Sequence, residues 1–459
     1  MIVHCVLVGH DFFHEVQVAA QVFFRAEKFV RLKEIPQHGL AVVGIVDNDE
    51  CIGKLFDNNQ ELATHSMKIG ELGVKKTLIL AIFYALKEYT GLDVPWGALV
   101  GVRPSKQVRL WLESGDSEDE IFDRLNTIYK SREDKIILAT RVARAEQAII
   151  PHLKGVSLYV GVPFCPSRCA YCSFITAHTI SNDETHSEYL SALSREMERM
   201  ETAEIQNIYI GGGTPTALSP KNLERLLIMV EKLRGGLTTE YTVEAGRPDS
   251  LSEEKLRLLK DFGITRIAIN PQTLNDETLR RIGRLHTAED FFRAFAAARD
   301  VGFDNINVDI IAGLPGEMES DMERTLEGLK GLAPEHITVH TLAIKRAAAL
   351  TMETEVAAFR VVDNMLKLAY SSCEEWGLLP YYMYRQKNMV GQFENVGFSR
   401  LGYECRYNVA MMAEVQTVLA VGAGGVMKVV EGSRIERRFN VKEVGVYLGR
   451  YNKNPCGRY

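Results

Sequence analysis

From residue 156 onward the chain repeats one scheme: a short apolar run, a polar or glycine-rich loop, then a stretch with apolar positions at helical spacing. The apolar runs are "VSLYVGV" (156–162), "NIYIGG" (207–212), "YTVEA" (241–245), "TRIAIN" (265–270), "NINVDII" (305–311) and "HITVHT" (336–341). Helical stretches such as "HSEYLSALSREMERM" and "SEEKLRLLKDFG" lie between them. Strands alternating with helices predict parallel βαβ units. Six units are too few to close an eight-fold barrel, so the expected fold is α/β, a partial (β/α)6 barrel. In such a barrel the chemistry sits on loops at the C-terminal ends of the strands.

Residues 1–150 predict a separate α/β domain. "AVVGIVDNDECIGKLF" (41–56) reads as a hairpin around the Asp/Asn turn at 47–49. "KKTLILAIFYALKEYTG" reads as a helix ending at Gly91, and Pro104 opens another. The acidic run "DSEDE" (116–120) reads as a solvated turn and helix start. The barrel is expected over 151–350, and a mixed domain over 351–459, opening with the helix "EVAAFRVVDNMLKLAYSSCEEWG".

Composition narrows the function classes. The 459 residues are 46% hydrophobic and 25% charged, with net charge −6. That balance suits a water-soluble globular protein and disfavours a general nucleic-acid or anionic-membrane surface. The first residues, "MIVHCVLVGHDFFHEV", read as a buried strand rather than a signal peptide. The longest apolar run, "TLILAIFYAL" (77–86), is too short to span a bilayer. The expected location is the cytoplasm, where the scattered cysteines 5, 51, 373, 405 and 456 read as buried or incidental thiols.

Three other cysteines cluster in "VPFCPSRCAYCSF", at Cys165, Cys169 and Cys172. Three thiolates on one short loop can hold a metal. A structural zinc site is closed by four ligands, and His178 stands near enough to be counted as the fourth. An iron–sulfur cube is the other reading: three cysteines bind three irons and leave one iron open. Further groups follow in order at strand ends. They are the glycine turn "GGGTPT" with Gly212, Gly213 and Thr214, then Glu244, Gln272, Arg284 on the helix expected after Gln272, and the strand-borne Asp309. Glycines let a ligand approach the backbone, though the same turn also serves a plain strand-to-helix connection. A carboxylate in a strand needs a partner, which ribose hydroxyls, an ammonium group or an arginine can supply.

The CxxxCxxC spacing, with Tyr171 before the last cysteine and a strand just upstream, resembles the signature of the radical S-adenosylmethionine (SAM) superfamily. The ordered set resembles a narrower family within it, the oxygen-independent coproporphyrinogen III oxidases and their relatives, over about 156–430. The resemblance implies a radical SAM barrel, a 4Fe-4S cluster held by Cys165, Cys169 and Cys172, and SAM chelating the open iron. Cleavage of SAM then yields a deoxyadenosyl radical that abstracts a hydrogen atom. By resemblance the Gly212–Thr214 turn contacts the SAM amino group, Arg284 its carboxylate, and Gln272 and Asp309 its ribose. Tyr159 and Glu244 match a second SAM site, and Ala343 and Val426 match less distinctive cofactor-binding positions.

The branch called HemZ resembles this chain in its long N-terminal extension and in "PWGALVGVRPSK" and "YYMYRQKNMVGQFENVG". Two departures stand out. The main oxidase branch has a further cysteine where this chain has Phe174. The heme-chaperone branch carries an HNxxYW motif; here "GYECRYNVAMM" has Tyr407 in place of the histidine and lacks the Tyr-Trp pair. The implied activity is oxidative decarboxylation of a tetrapyrrole, coproporphyrinogen III, to protoporphyrinogen IX in heme biosynthesis. It needs a low-potential donor of flavodoxin or ferredoxin type and an electron acceptor of unknown identity. Arg385 and Lys387 are candidates for the substrate's carboxylates, by the match of arginine to carboxylate. Methyl transfer with heme ring opening and a heme carrier without turnover are the rival functions. "VLAVGAGGVMK" (418–428) reads as a turn rather than a dinucleotide loop. His336 and His340 read as structural, and "GVRPSK" (101–106) as packing or an anion contact.

Overall fold

The computed structural model describes residues 1–24, 28–101, 103–172, 182–200, 203–343, 352–386, 389–432 and 434–453. The chain forms two compact units. The first comprises Met1–Thr140, Ala343–Arg360 and Arg385–Glu394; the second comprises Arg141–Leu342, Val361–Tyr384 and Asn395–Tyr459.

The first unit holds five strands: β1 (Ile2–Val8), β2 (Lys28–Leu32), β3 (Leu40–Asp47), β4 (Glu50–Asp57) and β5 (Gln60–Lys68). Their order is β2-β1-β3-β4-β5. β1 runs parallel to β2 and β3, and β3, β4 and β5 form an antiparallel meander. The hairpin expected at 41–56 is β3–β4, with Asn48 in the left-handed region (φ 49°) at its turn. The helix Gly73–Thr90 ends at Gly91, whose φ of 62° suits glycine. This helix lies against β4 because residue 53 is glycine: a Cβ there would meet the Ile82 backbone at 2.4 Å. The acidic run starts the helix Glu118–Asp123, capped by the Ser117–Glu120 box.

Two charged groups close the first unit's interior. Glu394 is fully buried; its Oε1 accepts from Lys135 Nζ at 2.6 Å and its Oε2 from Trp96 Nε1 at 2.8 Å. These bonds hold the 385–394 segment inside the unit.

The second unit is built on six parallel strands: β6 (Val156–Val162), β7 (Ile205–Gly212), β8 (Glu240–Val243), β9 (Arg266–Ala268), β10 (Ile306–Ala312) and β11 (His336–Thr341). Leu158, Ile210, Val243, Ile267, Val308 and Val339 are buried along them. Intervening helices begin where a side chain accepts a backbone N–H: Asn182, Ser219, Ser252, Asn275 and Thr287 each cap one. Five further strands extend the sheet: β12 (Leu379–Tyr384), β13 (Asn395–Ser399), β14 (Val418–Val421), β15 (Val426–Glu431) and β16 (Arg434–Phe439). The full order is β12-β13-β11-β10-β9-β8-β7-β6-β14-β15-β16.

The region expected as a domain of its own at 351–459 is therefore divided. β13 pairs antiparallel with β11 and β14 pairs parallel with β6, so their residues fold with the barrel strands. Residues 343–360 and 385–394 belong to the first unit. "VLAVGAGGVMK" contains β14, a glycine turn and the start of β15. Among the described residues no helix is long and apolar enough to cross a membrane.

Candidate functional site

The cysteine loop leaves the C-terminal end of β6 and is pinned at several points. Gly213 N–H donates to Val162 O at 2.7 Å and Thr214 N–H to Phe164 O at 2.7 Å. A Cβ on Gly213 would meet Phe164 O at 2.3 Å, so only glycine permits this approach. Ala170 N–H donates to Ile282 O at 2.9 Å, and Ser167 Oγ to Gly283 O at 2.7 Å. Cys169 is buried, while Cys165 and Cys172 are half-buried; none of the three is in a disulfide. Burial pushes the Cys165 thiol up to about 12, against the opposing pull of Thr214 and Arg247. Metal binding would require the thiolate, so loading would release protons.

The glycine turn at the end of β7 meets Glu244, the residue after β8. Glu244 Oε1 accepts from Tyr209 OH at 2.6 Å, and Oε2 accepts from Gly212 N–H at 3.2 Å. Gly211 makes room for this carboxylate: a Cβ there would lie 2.8 Å from Glu244 Oε2. Burial raises the Glu244 pKa, and the nearby Asp309 charge adds to the rise. Tyr159 and Tyr209 are partners across β6 and β7, and Tyr407 stacks on Tyr209 with ring centroids 4.4 Å apart.

Asp309 projects from β10. Its Oδ2 accepts from Asn270 Nδ2 at 2.8 Å and lies 3.6 Å from His340 Nε2, and its Oδ1 accepts from Asn307 Nδ2 at 2.7 Å. Burial alone would raise its pKa; His340, Asn307 and Thr338 together hold it below the usual carboxylate range. Gln272 bridges to β10, donating N–H to Asp309 O at 3.0 Å and accepting from Ile311 N–H at 2.9 Å. Its φ is 69°, a strained region for a residue with a side chain. Arg284 donates from Nη1 to Asn270 O at 2.5 Å and to Gly246 O at 3.3 Å, and its charge acts on Tyr171 and Cys169.

The second unit thus gathers Tyr159, Cys165, Cys169, Tyr171, Cys172, Gly212, Gly213, Thr214, Glu244, Gln272, Arg284 and Asp309 on neighbouring strands and the loops after them. Val426 opens β15 in the same unit. Ala343 falls in the first unit, bridged to Met389. Arg385, expected to meet a substrate carboxylate, is buried in the first unit. There it donates to Leu99 O at 2.8 Å and stands over the Trp96 ring. Burial lowers its pKa to about 10. Lys387, Phe174 and His178 lie outside the described residues. Sequence reasoning missed Arg247, Asn270 and Tyr209, polar side chains in or beside strands with no spacing pattern to mark them. His340, read as structural, serves by holding Asp309.

Among the described residues no three Cys, His, Asp or Glu side chains meet around a single ion. A cube does not need them to, because each thiolate ligates a separate iron. The donor set therefore fits an iron–sulfur cluster with one iron left open. Two buried polar atoms of the same unit, Gln272 Oε1 and Arg284 Nε, make no hydrogen bond within the protein. Each such atom costs about 1–3 kcal/mol unless something pairs with it, which suits a polar ligand beside the cluster.

The family model described as the radical SAM superfamily matches residues 159–329. The oxygen-independent coproporphyrinogen-III oxidase-like protein HemZ of Bacillus subtilis (strain 168) is 38% identical over 376 residues, covering 78% of this chain and 74% of the relative. The heme chaperone HemW of the same organism is 31% identical over 279 residues, covering 58% of this chain and 69% of the relative. Among solved structures, coproporphyrinogen III oxidase (HemN) from Escherichia coli, titled a radical SAM enzyme, aligns with TM-score 0.52 at 20% identity. That alignment covers 68% of this chain and 73% of HemN. It establishes the fold as a mixed α/β radical SAM barrel with added N- and C-terminal regions. The chain belongs to the radical SAM superfamily and, within it, to the oxygen-independent coproporphyrinogen III oxidase-like family.

Proposed function

We propose that this chain oxidatively decarboxylates coproporphyrinogen III to protoporphyrinogen IX without oxygen. The observation that carries the reading is the gathering of the cysteine loop, the Gly212–Thr214 turn, Glu244, Gln272, Arg284 and Asp309 on one set of parallel strands and their following loops. The names of the HemZ and HemN relatives supply the substrate class.

In this reading Cys165, Cys169 and Cys172 would hold a 4Fe-4S cluster, with SAM bound beside it. When bound, the cluster and SAM supply one-electron cleavage and a group that removes a hydrogen atom. The protein's own residues bind and orient. Arg284 pairs with the SAM carboxylate, as guanidinium suits carboxylate. Thr214 and the glycines before it face the amino group. Gln272 Oε1 and Asp309 accept from the ribose hydroxyls, while His340, Asn270 and Asn307 keep Asp309 ionised and fixed. Tyr171 lies beside the cluster, and Val426 lines the cofactor's edge. Tyr159 and Glu244 serve a second SAM. Each of the two propionates that become vinyls loses a β-hydrogen atom and carbon dioxide, and gives up one further electron to an acceptor. A low-potential flavodoxin- or ferredoxin-type protein of the cytoplasm supplies the reducing electron.

The 31% identical relative named as a heme chaperone makes a carrier the second reading. At Tyr407, where that branch has a histidine, the ring is buried and stacked on Tyr209, which does not favour iron ligation there. The deciding experiment is anaerobic turnover of the reconstituted protein with SAM, a reductant and coproporphyrinogen III. Vinyl products, carbon dioxide and deoxyadenosine are expected. Deoxyadenosine without substrate conversion would sink the oxidase assignment. Stoichiometric heme binding with no SAM cleavage would establish the carrier.

A further inference from the structure

Arg247 follows β8 in the loop "VEAGRP", and its side chain is 2% exposed. Its Nε donates to Asp249 Oδ1 at 2.9 Å and its Nη2 to Asp249 Oδ2 at 2.8 Å. Nη2 also donates to Ser167 Oγ at 2.9 Å, and Nη1 to Ser167 O at 3.1 Å. The remaining contact is Nη1 to Cys169 Sγ at 3.8 Å. A buried guanidinium is tolerated only when paired and hydrogen-bonded, and Asp249 with Ser167 meets that need. The contact to sulfur goes beyond it. Only a planar fork reaches the carboxylate, the loop backbone and the thiol together; lysine cannot.

We infer that Arg247 is a positioning residue for Cys169 that raises the potential at which the cluster accepts an electron. The inference rests on the reading that Cys165, Cys169 and Cys172 hold a 4Fe-4S cluster. Reduction adds one negative charge to the cluster and its thiolates. An N–H donor and a positive charge at a ligand sulfur stabilise the reduced form more than the oxidised one. Asp249 does not cancel this effect. It occupies the Nε–Nη2 edge, so the positive end of the pair faces the sulfur through Nη1. Arg284 also acts on Cys169, yet its proposed task is the SAM carboxylate. Arg247 has its fork filled by the protein and serves the cluster alone.

The test is an EPR-monitored redox titration of anaerobically reconstituted wild-type, Arg247→Gln and Arg247→Lys proteins, with iron and sulfide content measured on each. Arg247→Gln removes the charge at sulfur. At a fixed solution potential its ratio of reduced to oxidised cluster is expected to fall about tenfold, which is 59 mV for one electron. Arg247→Lys keeps the charge and loses the fork, so its shift should have the same sign and be smaller. Equal loading with an unchanged midpoint in Arg247→Gln overturns the inference. If only Arg247→Gln fails to load, the midpoint of Arg247→Lys decides, and no shift overturns it. Failure of both variants to load also overturns it, because that marks a purely structural part. A wild-type protein that forms no such cluster instead sinks the underlying reading, so the two failures are distinct.

Discussion

Two sites, one in each unit, treat buried polar groups differently. Around Glu394 in the first unit, both carboxylate oxygens are met by protein donors, Lys135 and Trp96. Around Gln272 and Arg284 in the second unit, Oε1 and Nε lie buried without a hydrogen bond. Both environments exclude water, so both carry the cost of removing polar groups from it. In the first the cost is met by folding itself. In the second it is left open, with backbone strain at Gln272 added. At Glu394 the complete set serves structure; at Gln272 and Arg284 the incomplete set leaves room for a polar partner.

The largest effect should come from the loop that most depends on a ligand. Cys165→Ser, Cys169→Ser and Cys172→Ser should each abolish SAM cleavage and reduce cluster iron to below about a tenth, measured by iron assay and EPR. Wild-type iron content in any one of them would break the contrast.

The complete cluster should respond in stability rather than chemistry. Lys135→Met removes the ammonium that donates to the buried Glu394 Oε1, and should cost about 3–5 kcal/mol of folding stability in urea titration. A loss under about 1 kcal/mol, the value of an exposed pair, would show the burial contributes little.

Glu317 lies between the two cases. It is buried, accepts from Thr273 Oγ1 at 2.6 Å, and burial raises its pKa to about 7 from 4.5. The folded protein therefore binds this proton where the unfolded chain does not. The stabilisation is fully present below pH 4.5 and is lost as pH rises to about 7, by up to about 3 kcal/mol. Glu317→Gln should flatten that part of the stability–pH curve, and an unchanged curve would count against the burial effect.

The smallest effect sharpens the contrast most. Gln272→Gly relieves the φ of 69°, so stability should stay level or rise by about 1 kcal/mol. SAM affinity, measured by equilibrium binding to the loaded protein, should fall about tenfold, the worth of one lost hydrogen bond. Loss of stability with unchanged affinity would make Gln272 a structural residue.

Much of this was legible along the chain. β6 and β11 match their apolar runs end to end, and the helix 73–90 stops at the glycine that signals it. β9 is shorter than its run, 266–268 against 265–270, because the chain turns early to place Gln272 against β10. Arg385 looked like a residue offered to solvent-borne carboxylates; its burial depends on Leu99, remote in sequence. Arg247 gave no signal, since an arginine in a loop is common and its partner Ser167 lies two βα units upstream.

The sequence by itself determined the six-strand repeat, the cap and turn positions, and the three-cysteine spacing. These depend on periodicity, backbone preference and neighbouring residues, all carried within short windows. Only the tertiary structure decided that β14 lies beside β6, that 385–394 joins the first unit, and which polar groups are buried with or without partners. Those outcomes depend on contacts between residues far apart in the chain, where no local pattern records the partner.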